Sequence, residues 1–188
     1  MQNSRMKSGD TAFVLPVNTY FVDDCITDKN SVLGSFFFKF HPTLIPKFSE
    51  YVKTSLECKD IFADNSGSYP VSSTIILPPI FNTPCKVILT ASTTKNFGEG
   101  FRSTPVIIIS CIEQIYKVTA DQRISNIVMP IIGSGRGGLE ISDALFLIIL
   151  SIKFYSKKFH HIKKIQLYTR RPDYEKINKN FLQTFNLQ

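Results

Sequence analysis

The chain has few residues that could bind a metal or form disulfides: three histidines and four cysteines among 188 residues. The histidines show no zinc-binding spacing, and the cysteines are far apart with no Cys-x-x-Cys pair. The cysteines are Cys25, Cys58, Cys85 and Cys111. These absences argue against a structural metal and against a disulfide framework, and they predict a reduced, cytosolic domain.

Long apolar runs are also missing. No stretch reaches the roughly 18 to 20 apolar residues that span a bilayer. The polar stretch Met1 to Gly9 lacks the apolar core of a signal peptide. We therefore expect a soluble chain, with residues 1–7 as a tail or linker remnant and residues 8–188 as one domain.

The net charge of +7 is not concentrated in one run. One basic cluster stands out, consisting of Lys157, Lys158, Lys163 and Lys164. It is typical of a solvated helix end, so the charge does not predict nucleic-acid binding. A basic balance does suit an anionic small ligand, because it raises the local concentration of that ligand.

The stretch from Ile127 to Glu140 is the most informative part of the chain. An apolar, β-branched run breaks into Gly133-Ser-Gly-Arg-Gly-Gly138, and a long amphipathic segment follows. This pattern predicts a strand, a phosphate-binding loop and a helix, since glycines let an anion approach backbone N–H groups closely. The Gly-x-x-x-x-Gly-Lys-Ser/Thr motif of nucleoside triphosphatases is absent. A glycine-rich turn without a ligand is the alternative.

The remaining pattern alternates strands and helices, which predicts a mixed, mainly parallel sheet between helical layers. Ser31 is the expected N-cap of the first long helix, and the polar stretch from Ser92 to Gly100 is expected to be a loop. The expected strands are Ala12–Val17, Val71–Leu77, Lys86–Ala91, the run from Ile127 and Ile165–Thr169, and the later helices are Pro105–Val118, Leu139–Lys158 and Asp173–Phe185.

Several motifs together resemble the macro domain. They are Gly9-Asp10, Pro16-Val-Asn-Thr19, the loop Gly133–Gly138 and an aromatic residue at Tyr168 in the last strand. Asn30-Ser-Val-Leu-Gly34 and Tyr69-Pro70 make the chain most similar to the macro domain of Thoeris anti-phage effectors. The resemblance implies a three-layer α/β/α fold with a mixed, mainly parallel central sheet, and it implies ADP-ribose binding.

The resemblance also implies which residues contact the ligand. Asn18 corresponds to the asparagine at the distal ribose, and Asp10 to the aspartate that holds the adenine amino group. Tyr168 would lie near the adenine or the distal wall, and two loops would hold the phosphates. The full set of expected ligand-binding residues is Asp10, Asn18, Thr19, Ser31, Leu33, Gly34, Ser35, Ala91, Gly133, Ser134, Gly135, Arg136, Gly137, Gly138, Leu139 and Tyr168.

The first of these loops departs from the pattern of macro-domain hydrolases. It reads Leu33-Gly-Ser-Phe-Phe-Phe38 where the hydrolases carry a run of glycines. No carboxylate pair or Ser/His/Asp arrangement replaces it in the loops assigned to the site. We therefore expect a sensor with no catalytic residue and no cofactor. An ADP-ribosyl hydrolase, with Asn18 positioning the ribose, is the alternative.

The resemblance to Thoeris effectors further implies a signalling role. In those systems a partner TIR enzyme makes an ADP-ribose derivative from NAD, for example a histidine conjugate, and an N-terminal membrane segment precedes the macro domain. This chain lacks that segment, so it is either a cytoplasmic piece of a membrane-anchored effector or a stand-alone relative. Homo-oligomerisation on activation is left open.

Arg136 is the one charged residue among the glycines of the second loop. Either its side chain points to solvent, as many surface arginines do, or its guanidinium contacts the ligand. In the second case it would close over the pyrophosphate or reach the group on the distal ribose.

Overall fold

The computed structural model of the chain describes residues 10–21, 24–77, 85–96 and 100–177. Six strands and six α-helices fall within these ranges, with a 3₁₀ helix at Pro42–Lys47. The strands are β1 (Thr11–Asn18), β2 (Thr74–Ile76), β3 (Lys86–Asn96), β4 (Gly100–Arg102), β5 (Asn126–Pro130) and β6 (Lys164–Tyr168). The helices are α1 (Asp24–Thr27), α2 (Val32–Phe40), α3 (Phe48–Glu57), α4 (Pro105–Ala120), α5 (Ile141–Ser156) and α6 (Arg171–Lys176).

The strands form one mixed sheet in the order β2-β3-β1-β5-β6, and β4 pairs with the far end of β3. The four strands β3, β1, β5 and β6 are parallel, while β2 and β4 run antiparallel to β3. The register places Val17 opposite Ala91 and Pro130 opposite Tyr168. The predicted mixed, mainly parallel sheet is therefore confirmed.

Helices cover both faces of this sheet. Ala12 and Val14 of β1 pack into one apolar core with α4 and α5, and Leu15 and Val17 pack into a second core with α2 and α3. Successive strand residues point to opposite faces, so a strand covered on both faces reads as a continuous apolar run. The run Ala12–Val17 has this character, and the predicted three-layer α/β/α architecture is confirmed.

Most predicted elements differ from the structure by one or two residues at their ends, and two strands differ by three or more. The expected loop from Ser92 is wrong up to Asn96, because β3 continues through the β-branched Thr93 and Thr94 and pairs with β4. Residues 97–99 of that loop lie outside the described residues. The expected strand Val71–Leu77 shortens to Thr74–Ile76, because Ser72 has a φ of 67° and begins a turn.

The last helix also begins earlier than expected, at Arg171, and α6 ends at Lys176. Pro172 lies in its first turn, where the missing N–H costs nothing. The predicted continuation to Phe185 falls outside the described residues. Among the helices that the structure describes, none has the length and apolarity that crossing a bilayer requires.

Candidate functional site

The carboxyl ends of β1, β5 and β6 meet at one edge of the sheet. These strands are parallel, so Asn18, Pro130 and Tyr168 end them on the same side. Ligands of open α/β sheets bind at this edge. The loops that follow β1 and β5 therefore start next to one another, although more than 100 residues separate them in sequence.

Asn18 is buried and held in one orientation. A β-bulge interrupts the pairing of β1 with β3 between Val17 and Asn18. The Asn18 Oδ1 atom accepts a hydrogen bond of 2.9 Å from the Tyr20 N–H, which makes an Asx turn at the end of the strand. The side-chain oxygen is therefore committed to the backbone.

Backbone hydrogen bonds to two other segments of the same chain hold Thr19, the residue after Asn18, in place. The Thr19 N–H donates to the Thr93 carbonyl oxygen at 3.0 Å, and the Thr19 carbonyl accepts from the Tyr69 N–H at 2.8 Å. Phe21 is 1% exposed with a φ of 58°, a left-handed conformation that is strained for a bulky residue. Its ring packs edge-on against Tyr69, with 5.6 Å between centroids. Residues 19–21 therefore leave β1 in a defined conformation.

The N-terminus of α2 forms one side of the site. The predicted N-cap is confirmed, because the Ser31 Oγ atom accepts from the Gly34 N–H at 2.8 Å. The N–H groups of Val32 and Leu33 in the first turn have no intrahelical acceptor, as at any helix start. Together with the helix dipole, these groups favour an anion at this position.

The glycine loop after β5 forms the other side. Gly133 and Gly138 have φ values of 87° and 75°. A Cβ atom at Gly137 would lie 2.5 Å from the Gly133 carbonyl oxygen, so a side chain does not fit there. The Leu139 N–H closes the loop by donating to that same oxygen at 3.0 Å. The loop therefore needs glycine at these positions for steric reasons, independently of any ligand.

Two backbone donors of this loop have no acceptor among the described residues, namely the N–H groups of Gly135 and Gly137. The Ser134 N–H lies in a turn that begins at Ile131, and the Ser134 hydroxyl donates to the Ile131 carbonyl at 2.9 Å. Backbone N–H groups left without an acceptor in a tight loop favour an anion.

Arg136 forms an ion pair with Asp28, a residue of the segment between α1 and α2. The contact joins the two loops, so in the free domain the Arg136 guanidinium is ion-paired and does not simply point to solvent. Its predicted contact with a ligand stays a prediction. The Arg136 side chain is 57% exposed and that of Asp28 21% exposed. Asp28 was not among the expected site residues, since no local pattern links it to a residue 108 positions away.

Arg102 and Ser103 contact the glycine loop, and the sequence analysis did not include either residue in the site. The Ser103 N–H donates to the Gly137 carbonyl at 2.9 Å. The Arg102 guanidinium lies against Gly138, where a Cβ atom would meet Nη1 at 2.7 Å. Arg102 lies in β4, which the sequence pattern had placed next to a loop. A strand signal in the β-branched Thr93 and Thr94 could have revealed it.

Tyr168 lies between two cavities at the end of β6. The first, of about 350 Å³, also contacts Ser31 and Ser35 of α2 and the rings of Phe13 and Phe36. The second, of about 540 Å³, lies between α5 and β6. Burial raises the pKa of the Tyr168 hydroxyl to about 12, because desolvation disfavours the phenolate. Tyr168 therefore offers a ring face and a neutral hydroxyl next to the start of α2.

Three of the sequence-predicted residues, Asp10, Leu33 and Ala91, do not present a side chain at this edge of the sheet. Asp10 precedes β1, and its carbonyl accepts from the Ser125 and Asn126 N–H groups at the opposite edge of the sheet. Eight strand residues separate it from the site edge, roughly 25 Å. Leu33 is 2% exposed in the core beneath α2, and Ala91 is fully buried with both backbone groups bonded to Ser72 and Ser73.

The spacing of three loop glycines also matches the Gly-x-Gly-x-x-Gly fingerprint of dinucleotide-binding folds. In those folds, the next strand is followed by an acidic residue that contacts the ribose. Here the next strand, β6, ends at Tyr168 and is followed by Thr169 and Arg170. The loop therefore lacks the second half of that fingerprint.

Comparisons with known proteins agree on one family. The family model described as the macro domain of the Thoeris protein ThsA matches residues 6–170. A comparison with curated proteins finds no significant match.

Among solved structures, the chain is similar to an Oceanobacillus iheyensis macrodomain with MES bound, at 18% identity and a TM-score of 0.65, covering 94% of this chain and 85% of that one. A Trypanosoma brucei macrodomain in complex with ADP-ribose is 11% identical with a TM-score of 0.60, covering 88% of this chain and 60% of that one. The macrodomain of Thermus aquaticus DarG is 16% identical with a TM-score of 0.56, covering 85% of this chain and 89% of that one. At these identities the likeness establishes the fold.

Proposed function

Because the chain belongs to the macro-domain family of the Thoeris protein ThsA, we propose that it senses a nucleotide signal derived from ADP-ribose. A partner TIR enzyme would make this signal from NAD, as a histidine–ADP-ribose conjugate or a related compound. Binding would then activate an anti-phage effector to which the domain belongs. The domain itself acts as a receptor and carries out no reaction.

The observation that carries this proposal is that two loops with backbone donors follow β1 and β5 at the carboxyl edge of the sheet and are joined by the Arg136–Asp28 ion pair. The start of α2 contributes the N–H groups of Val32 and Leu33, and the glycine loop contributes those of Gly135 and Gly137. Two such donor sets suit a ligand with two linked phosphates. A single phosphate would use one set only.

The groups on either side of the donors suit the two ends of ADP-ribose. Asn18 and Thr19 lie at the end of β1, where a polar ribose would find a fixed amide. Tyr168 and the cavity of about 350 Å³ beside it offer ring faces for a flat base. ADP-ribose is present in the similar Trypanosoma brucei macrodomain, which supports the same ligand class here. We leave Asp10 out of the proposed site because it lies at the opposite edge.

Calorimetry with the purified 188-residue chain tests the proposal. We expect ADP-ribose or its histidine conjugate to bind with micromolar affinity or better, and ribose 5-phosphate to bind more weakly because it has one phosphate. Affinity should depend modestly on salt, whereas a nucleic-acid ligand would show a steep dependence. Failure of every ADP-ribose derivative to bind at high micromolar concentration would refute the proposal.

An ADP-ribosyl hydrolase is the second candidate, and the fixed orientation of Asn18 favours it. An amide held by an Asx turn at the ribose end could position the sugar for attack by a water bound near the diphosphate. Incubation of the domain with an ADP-ribosylated protein or small conjugate distinguishes the two functions. Release of ADP-ribose that disappears in Asn18→Ala would establish the hydrolase, and binding without release would support the receptor.

A further inference from the structure

Helix α5 carries an apolar stripe on its solvent-facing side. Phe146, Leu150 and Phe154 are 39%, 47% and 65% exposed. They are four residues apart, so their side chains form one ridge along the helix. The opposite side of α5 is buried against the sheet and α4. Single exposed apolar residues are ordinary, but a contiguous ridge of three large ones marks an interaction surface.

A residue of opposite charge lies at each end of this stripe. Asp143 lies one turn before Phe146, Lys157 lies one turn after Phe154, and both are exposed. At about 100° per residue, both side chains point within roughly 20° of the direction of Leu150. Along this side of the helix, an acidic residue is followed by the three apolar residues and then by a basic residue.

The three apolar residues and the two terminal charges are placed symmetrically about Leu150, while Lys153, which is exposed beside them, has Leu147 at its mirror position. Phe146 and Phe154 lie four residues to either side of it, and Asp143 and Lys157 lie seven residues to either side. When two such helices pack antiparallel across a two-fold axis beside Leu150, Phe146 of one copy lies level with the partner's Phe154. Asp143 then lies level with the partner's Lys157, and the symmetry makes this pair twice.

We propose that the α5 stripe is the surface through which two copies of this chain associate. Self-association requires a surface that is complementary to itself, and a stripe with opposite charges at equal distances from its centre has that property. An anionic membrane surface would attract the basic end of the stripe and repel Asp143, whereas a second copy of the chain pairs both ends. The proposal is independent of the function proposed above, because it concerns a face of α5 that lies outside the candidate site.

Sedimentation of the 188-residue chain between about 10 μM and 1 mM tests the proposal. The wild-type chain should show a concentration-dependent monomer–dimer equilibrium. Leu150→Lys should raise the dimer dissociation constant at least about tenfold, because it places two ammonium groups at the axis. Phe62→Ser is the matched control, since Phe62 is 62% exposed but lies outside α5, and it should leave the equilibrium unchanged.

A charge swap makes the test specific. Asp143→Lys and Lys157→Asp should each weaken the dimer several-fold, and the double variant should restore it, because the pair then forms with reversed polarity. The same substitutions should lower the stability of the monomer. Both reversals oppose the dipole of α5, so the double variant should be the least stable monomer in thermal unfolding. Recovered association in a less stable monomer cannot arise from a general structural effect.

Two results would overturn the proposal. One is a wild-type chain that stays monomeric at about 1 mM, and the other is a double variant that associates no better than the single variants. A further experiment measures binding of the wild-type chain to vesicles that contain anionic lipid. Binding of the wild-type chain to these vesicles without self-association in solution would assign the stripe to a membrane surface and refute the dimer.

Discussion

Arg136 and Asp28 connect the two loops that border the candidate site. The guanidinium comes from the glycine loop after β5, and the carboxylate comes from the segment that leads to the N-cap of α2. The pair therefore spans the place where a diphosphate would lie. An ion pair that is partly exposed contributes only about 0 to 1 kcal/mol to stability, so a phosphate can readily compete with Asp28 for the guanidinium.

Replacing Arg136 should weaken ligand binding without weakening the fold. A charge-assisted contact to phosphate contributes about 1.5 to 3 kcal/mol, so Arg136→Ala should lower the affinity for ADP-ribose or its derivatives roughly tenfold to a hundredfold. Arg136→Lys should recover part of the loss, since it keeps the charge but not the two-pronged donor. Calorimetry measures the affinity, and thermal unfolding of the free domain should be nearly unchanged. Unaltered affinity in Arg136→Ala would leave the backbone donors as the only phosphate contacts.

Removing the competing carboxylate should have the opposite effect. Asp28→Asn removes one ion-pair partner of the Arg136 guanidinium in the unbound domain, and the ligand then no longer competes with the Asp28 carboxylate. Because the exposed pair contributes about 0 to 1 kcal/mol, affinity should rise by up to about fivefold. The double variant Asp28→Asn/Arg136→Ala should bind like Arg136→Ala. If Asp28→Asn raises affinity equally in the Arg136→Ala background, the carboxylate acts by direct repulsion of the ligand instead.

Two glycines of the loop should respond differently to alanine. A Cβ atom at Gly137 would meet the Gly133 carbonyl oxygen at 2.5 Å and Ser103 at 2.9 Å, whereas a Cβ atom at Gly135 meets nothing within 4 Å. Gly137→Ala should therefore destabilise the domain by roughly 1 to 3 kcal/mol and distort the phosphate donors. Gly135→Ala, the matched control, should fold with almost unchanged stability. Urea unfolding and calorimetry on both variants measure these effects, and equal stabilities would mean that the loop adapts to a side chain at Gly137.

Local signals account for what the sequence predicted well. The apolar run of β1, the N-cap at Ser31 and the glycines after β5 each depend on residues within a few positions of one another. Their conformations follow from strand burial, capping and positive φ, which a short window of sequence reveals. The three-layer fold then follows from the alternation of such elements.

The parts that sequence missed depend on tertiary contacts. The partner of Arg136 lies 108 positions away, and the extension of β3 becomes visible only when β4 pairs with it. Asp10 illustrates the opposite problem, because a short motif matched while the intervening strand carried the residue to the far edge of the sheet. The assignment of Asp10 depended on the motif alone, and a strand of eight residues spans most of the sheet.

The cap of α2 should affect both stability and binding. Ser31→Ala removes the acceptor for the Gly34 N–H and should cost about 1 kcal/mol of the free energy of unfolding. It should also weaken ligand binding, because the first turn of α2 presents donors to the phosphates. Thr104→Ala is the matched control, since Thr104 caps α4 through the Ile107 N–H outside the proposed contacts. If both variants lose stability but neither loses affinity, the α2 terminus is not a phosphate contact.

The stability of the domain should fall as the pH drops below about 6.5, and His161 should account for part of this loss. The His161 Nε2 atom lies 2.9 Å from the Thr119 hydroxyl, which is fully buried and donates to the Ile115 carbonyl at 2.7 Å. The ring also packs edge-on against Tyr116. Burial lowers the pKa of His161, and the nearby Asp121 carboxylate offsets part of that shift.

The sign of the change in unfolding free energy with pH follows from proton linkage. Between the lowered pKa of folded His161 and the unfolded value near 6.5, the unfolded chain binds more protons than the folded chain. The stability contribution is therefore complete above about pH 6.5 and is lost as the pH falls toward the folded pKa. Urea unfolding at pH 7.5 and 5.5 should show a lower free energy of unfolding at pH 5.5. His41, whose pKa burial also lowers, should contribute to the same trend.

Two histidine variants separate the contribution of His161 from the rest. In His161→Gln the difference between the two pH values should shrink, because one titrating group is lost, while the part due to His41 persists. His160→Gln changes the exposed neighbouring histidine and should keep the wild-type difference. Since the comparison is between two pH values within each variant, any uniform destabilisation by the substitution cancels. An undiminished pH dependence in His161→Gln would show that burial between α4 and β6 does not hold this imidazole in its neutral form.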